Sequence, residues 1–102
     1  MQAAEMLTGA QKTKLRGIGQ RLDSMLLVGQ AGVTPGVLNE LNRLVVANEL
    51  VKIRFVGSDR HQRAALAEAL ASEAHCEHVG SVGNTALFFR QHPETAQRKI
   101  EV

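Results

Sequence analysis

The stretch from Met25 to Gly36 leaves the backbone few choices. An apolar run, Met25-Leu26-Leu27-Val28, is followed by Gly29-Gln30-Ala31-Gly32 and then by Val33-Thr34-Pro35. Thr34 is a good helix N-cap, and Pro35 suits the first helical position, where a missing N–H costs nothing. The pattern predicts a strand, a glycine-framed turn and a helix N-terminus. Glycines three apart let the backbone approach a ligand and take φ values that a side chain forbids. A helix start behind them offers free N–H groups and the positive end of a dipole, which suits a phosphate. A GxxG by itself also fits a plain tight connection, so the remainder of the chain has to decide.

With 102 residues, 44% of them hydrophobic, the chain is expected to form one domain around a single core. It contains no apolar run long enough to span a membrane. Met1-Gln2-Ala3-Ala4-Glu5 lacks the basic and apolar regions of a secretory signal. Cys76 has no second cysteine to pair with, which suits a reducing compartment. A soluble, cytoplasmic domain is the expectation, with no membrane partner. The net charge of +2 is modest but unevenly placed. Between Gly9 and Gly36 stand Lys12, Lys14, Arg16 and Arg21 against Asp23, a local excess of +3, whereas eight cations and eight anions balance from Val37 to Val102. The excess lies beside the glycine stretch and suggests a polyanionic partner.

Residues 1–6 read as a frayed lead. Thr8, with Gln11 three positions on, forms a capping box for a first helix bearing Leu15, Ile18 and Leu22 on one stripe. Gly17 and Gly19 weaken that helix by about 1 kcal/mol each, or let a neighbouring element come close. After the first strand, at 25–28, a second helix is expected from Pro35 to about Ala47, with Val37, Leu41, Leu44 and Val45 inward. A second strand, Leu50 to Val56, alternates Val51, Ile53 and Phe55 with Lys52 and Arg54, so the two cations should face solvent. Asp59 caps a third helix reaching about Ala74. A third strand at 77–82, a Gly83-Asn84 turn and a fourth strand at 85–90 complete the domain, and Pro93 ends it. The tail at 93–102 looks loose. The order α-β-α-β-α-β-β implies a two-layer α/β sandwich with a four-stranded mixed sheet. Helix-linked strands favour parallel pairing, and the hairpin adds an antiparallel one.

Other chemistry is poorly supported. His75, Cys76 and His78 are good zinc ligand types, but no further ligand set completes a site. Ser24, Ser58, Ser72 and Ser81 lack a nucleophile-elbow context, and no Lys-Ser or Lys-Thr follows the glycine stretch to make a nucleotide-hydrolysing loop. No catalytic residue, metal or cofactor is therefore expected. Phe55, Phe88 and Phe89 belong to apolar strands and read as core, so base stacking on aromatic platforms is disfavoured. Nucleic acid would be held through backbone amides and cations at its phosphates.

Several separated motifs resemble one family, the CRM domain (chloroplast RNA splicing and ribosome maturation). These are Leu7-Thr8-Gly9-x-Gln11-Lys12, Leu15-Arg16-x-x-Gly19 and Val28-Gly29-x-x-Gly32-Val33-Thr34-x-Gly36-Val37, then Glu49-Leu50-Val51-Lys52-Ile53, Val56-Gly57 and Val82-Gly83-Asn84-Thr85-Ala86-Leu87-Phe88-Phe89-Arg90. The likeness covers about residues 7 to 92, and the length is similar to the free-standing bacterial YhbY-like members. It implies a fold like the C-terminal domain of bacterial initiation factor three and a non-catalytic RNA-binding role in maturation of the large ribosomal subunit. RNA, ribosomal or pre-ribosomal, is the expected partner rather than DNA. The family's GxxG loop corresponds to Gly29, Gln30, Ala31 and Gly32, with Thr34 capping the helix behind. Lys12, Lys14, Arg16 and Arg21 would flank it, and Lys52 and Arg54 are weaker candidates. Two positions depart from the family pattern: Gln30 stands where lysine is usual, and Asn48 where histidine is common. The first removes a cation where phosphate should lie. It also favours the rival expectation, a protein-binding adaptor on ribosomal precursors with little RNA contact.

Overall fold

The computed structural model describes residues 7–102, so the expectation for 1–6 lies outside the described residues. Helix α1 spans Gly9–Gly19, β1 Leu26–Val28, α2 Pro35–Asn48, β2 Leu50–Phe55, α3 Arg60–Glu73, β3 Glu77–Val82 and β4 Thr85–Phe89. Each helix starts where its cap residue stands. The Gln11 N–H donates to Thr8 Oγ1 at 3.1 Å, the Val37 N–H to Thr34 Oγ1 at 3.1 Å and the Gln62 N–H to Asp59 Oδ1 at 2.8 Å. Gln11 and Gln62 reach back to the cap N–H groups, closing two capping boxes.

The four strands form one mixed sheet in the order β1-β2-β4-β3. β1 lies parallel to β2, and β4 runs antiparallel between β2 and β3. The hairpin strand therefore separates β2 from β3, although both are preceded by a helix. One sheet face carries Val28, Val51, Ile53, Phe55, Ala86 and Phe88, packed on Leu41, Leu44 and Val45 of α2 and on Ala67 and Leu70 of α3. That is the expected α/β sandwich.

The opposite face is not simply solvated. Alternation places Leu50, Leu87 and Phe89 there, and α1 lays Leu15 across them with Val79, while Leu7, Ile18, Leu22, Ile100 and Val102 close the margin. Close approach of α1 depends on Gly19, where a Cβ would stand 2.4 Å from Leu87 Cδ1. Lys52, expected to face solvent, is instead half-buried, its Nζ donating to the Gly19 and Leu22 carbonyls at 3.3 and 3.2 Å. It caps the end of α1, where a cation is favoured.

The tail corrects a second expectation. Glu49, 1% exposed, accepts the His92 N–H at Oε2 (2.6 Å) and the Lys99 and Ile100 N–H groups at Oε1 (2.6 and 2.9 Å). Residues 92–102 are thus tied to the domain at two points, His92 and the Lys99-Ile100 pair, and add Ile100 and Val102 to the second core. A polar, aperiodic segment looked loose because its partner carboxylate lies far away in sequence. Glu49 itself takes φ +66, outside the usual space of a non-glycine residue.

Candidate nucleic-acid interface

The Gly29–Gly32 stretch is a single tight turn at one rim of the sheet. The Gly32 N–H donates to the Gly29 carbonyl at 3.0 Å, so Gln30 and Ala31 occupy the two corners, both exposed. Gly32 needs to be glycine: its φ is +72, and a Cβ would lie 3.3 Å from Leu66 Cδ2. Gly29 takes no positive φ and faces open space. What its missing side chain contributes is an uncovered backbone. Gln30 does not reach outward, because its Cγ and Nε2 lie 3.0 Å from where a Cβ of Gly57 would stand. The turn is thereby set against the β2–α3 connection, and a cleft lined by Gln30, Gly32, Gly57, Ser58, Gln62 and Leu66 runs between it and the start of α3.

The helix behind the turn is less open than expected. Pro35 has no N–H, that of Val37 is used by Thr34 Oγ1, and that of Leu38 donates to the Thr34 carbonyl at 3.0 Å. Among the described residues, Gly36 keeps the free N–H of this first turn. An anion at this place would therefore meet the turn amides more than the helix end.

The six expected cations do not form one cluster. Arg16 lies along Gly80, its guanidinium donating to the Val79 carbonyl at 3.2 Å and to Thr13 Oγ1 at 3.1 Å. Lys52 is spent on the end of α1. Both nevertheless line a groove of about 460 Å³ between α1 and the sheet, with Gly80, Val82 and Thr85 opposite. Lys12 sits by the β3 edge, where its charge, after burial as the main cause, helps lower the pKa of His78. That edge is three strands from the turn. Lys14 and Arg21 are exposed on and just beyond α1. Arg54 is exposed in β2, level with Leu27 of β1, two residues before the turn. The structure thus sets Arg54 nearest the turn on this sheet face, although the sequence ranked it low.

Two further cations that the sequence reading passed over, Arg60 and Arg63, open α3 on its side away from the turn, in a depression shared with Phe55, Gly83 and Thr85. Arg63 donates to the Ser58 carbonyl at 2.9 Å. A charge count over the balanced part of the chain hid both cations. Chemistry elsewhere is quiet. The Cys76 thiol, pushed by burial up to about 11 with Arg90 opposing, is a poor nucleophile at neutral pH.

The sequence pattern of the CRS1/YhbY (CRM) domain matches residues 7–90. The chain belongs to the CRM domain family. Relatives of this CRM domain include a Pseudomonas aeruginosa protein, 36% identical over 88 residues, covering 86% of this chain and 85% of that protein; its name is "Probable RNA-binding protein". A Haemophilus influenzae protein named "RNA-binding protein" is 28% identical over 88 residues, covering 86% and 89% of the two chains. A third, from Bacillus subtilis, is 29% identical over 95 residues, covering 93% and 99%. A solution structure from Staphylococcus aureus superimposes with a TM-score of 0.80 at 24% identity, covering 94% of this chain and all of that one, and so shares the fold. Within the CRM motifs several residues hold the domain together. Glu49 ties the tail, and Arg90 donates to the Ala74 and His75 carbonyls at the end of α3 and to Asn42 of α2.

Proposed function

We propose that this CRM domain is a non-catalytic RNA-binding protein that contacts ribosomal RNA through the Gly29–Gly32 turn and acts in maturation of the large ribosomal subunit, in the cytoplasm. The observation that carries the reading is the turn itself. It presents exposed corner amides at a bare rim, with Arg54 beside it on the sheet and the cleft toward α3 on its other flank. Backbone N–H groups beside a guanidinium group suit phosphates, and phosphate contact supplies most of the affinity of proteins that read RNA backbone. The names of the Pseudomonas and Haemophilus relatives support RNA as the partner. The ribosomal assignment follows from the resemblance to free-standing bacterial CRM proteins.

Amide NMR titration with a fragment of large-subunit ribosomal RNA tests this. Shifts are expected at residues 29–32 and Arg54, with the RNA recovered intact. Shifts confined to the outer face of α2 around Arg43 and Val46 would overturn the assignment of the site. A second reading, an adaptor for ribosomal proteins, is favoured by Gln30 lying against Gly57 with no cation in the turn. It predicts no shifts with RNA at all.

A further inference from the structure

Helix α1 covers only part of its sheet face. At the rim where the turn lies, a row of side chains crosses all four strands, exposed at three positions and half-buried at Thr85. The register sets Leu27 of β1 against Arg54 of β2, Arg54 against Thr85 of β4, and Thr85 against Val82 of β3. Both ends of the row are aliphatic and open, Leu27 at 61% and Val82 at 71% exposure. At the usual interstrand spacing the row is about 14 Å long. Its centre is a guanidinium that, among the described residues, has neither an ion pair nor a side-chain hydrogen bond. Glu77, a strand carboxylate of this face, sits at the far end of β3 and is engaged with the Leu7 N–H. The row runs from the strand that carries the turn to the groove where Arg16 and Lys52 stand beside Val82 and Thr85.

We infer that this open row is a base-binding strip for unpaired nucleotides, which makes single-stranded segments of RNA, rather than duplex, the ligand of the domain. The inference rests on the RNA reading above and adds what lies next to the phosphates. Aliphatic side chains alone would suit a protein partner equally well. An unpaired guanidinium in their midst, with cations at one end and an amide turn at the other, suits a polyanion whose flat apolar groups are accessible. Bases stack on arginine planes as well as on aromatic rings, and a four-stranded sheet has room for two or three of them. In a duplex those faces are already stacked, so the row could meet only sugar and phosphate there. With every phenylalanine buried, the strip offers weak, sequence-tolerant contact in place of firm aromatic stacking.

The test compares the natural chain with a Leu27→Gln, Val82→Thr variant. Both changes are at open positions and remove no charge. Val46→Thr, at an exposed apolar position of α2 away from the sheet, serves as control. The ligands are a short oligouridine and an RNA duplex with the same number of phosphates. The natural chain is expected to prefer the single strand, and the double variant to lose about fivefold to tenfold of that affinity. Its salt dependence and duplex binding should not change, and the control should bind like the natural chain. Equal binding of oligouridine by natural chain and double variant, or a preference for duplex, would overturn the strip while leaving RNA binding intact. Failure of the natural chain to bind either RNA would overturn both readings.

Discussion

Glycine is needed at some positions of this chain and merely present at others, and the distinction is testable in α1. Gly17 has open space where a Cβ would point, whereas at Gly19 a Cβ would run into Leu87. Gly17→Ala is expected to raise stability by about 1 kcal/mol through helix propensity. Gly19→Ala should lower it by about 1–3 kcal/mol through overpacking, despite the same propensity gain. Thermal or urea unfolding of the two variants reads both signs. Glu49 is the other decisive residue. Burial pushes its carboxyl up, but three backbone N–H groups and the nearby His92 outweigh this, leaving it below its ordinary value of 4.5. A carboxyl depressed on folding contributes stability that is complete above its unfolded pKa and is lost as the pH falls through the folded one. The His92, Lys99 and Ile100 amide signals are therefore expected to hold steady through neutral pH and to move only in acid, below 4.5. Glu49→Gln keeps one acceptor oxygen in place of two and should cost about 1–3 kcal/mol. Faster hydrogen exchange at those amides would accompany the loss; unchanged exchange would remove Glu49 from this role.

At the scale of elements, what the sequence revealed was local chemistry. Thr8 with Gln11, Thr34 with Pro35, Asp59 with Gln62 and the Gly83-Asn84 turn each act within a few residues, so each element begins where its punctuation stands. Gly83 adopts φ +58, as the first position of a Gly-Asn hairpin turn requires. Strand alternation gave the faces of β2 correctly, but it could not say what lies over a face. Lys52 and Arg54 share one side of the strand, yet α1 reaches the first and stops short of the second. The neighbour order was equally hidden, because a hairpin strand can add at an edge or insert, and local pattern is the same for both. Docking of α1 hinges on Leu15, wholly buried on the sheet. Leu15→Ala is expected to destabilise the domain by about 2–5 kcal/mol. Lys52→Met, which keeps the stem and loses only the capping ammonium, should cost far less. Denaturant unfolding of both variants measures the difference.

For the molecule as a whole, the fold explains why basic residues spread through the sequence need not form one patch. Arg54 stands level with the residue two before the glycine turn, Arg16 and Lys52 line the groove under α1, and Arg60 and Arg63 lie on the side of α3 away from the turn. Arg16 and Lys52 were visible as charges, but their bonds to carbonyls were not, since these depend on how α1 crosses the sheet. Arg60 and Arg63 were missed because net charge is a sum and they are offset elsewhere in the chain. The site therefore has to be tested through the turn itself. The most direct measurement is affinity for a ribosomal RNA fragment across a salt series, for the natural chain and for Gln30→Asp, Ala31→Asp. That double substitution keeps both glycines and places aspartate at turn corners that accept it. Contact with about three to five phosphates gives a log–log slope of roughly −2 to −4 for the natural chain. The variant should stay folded and lose binding. Equal affinities and slopes for the two proteins, or a flat salt response, would contradict the turn as the place where RNA is held.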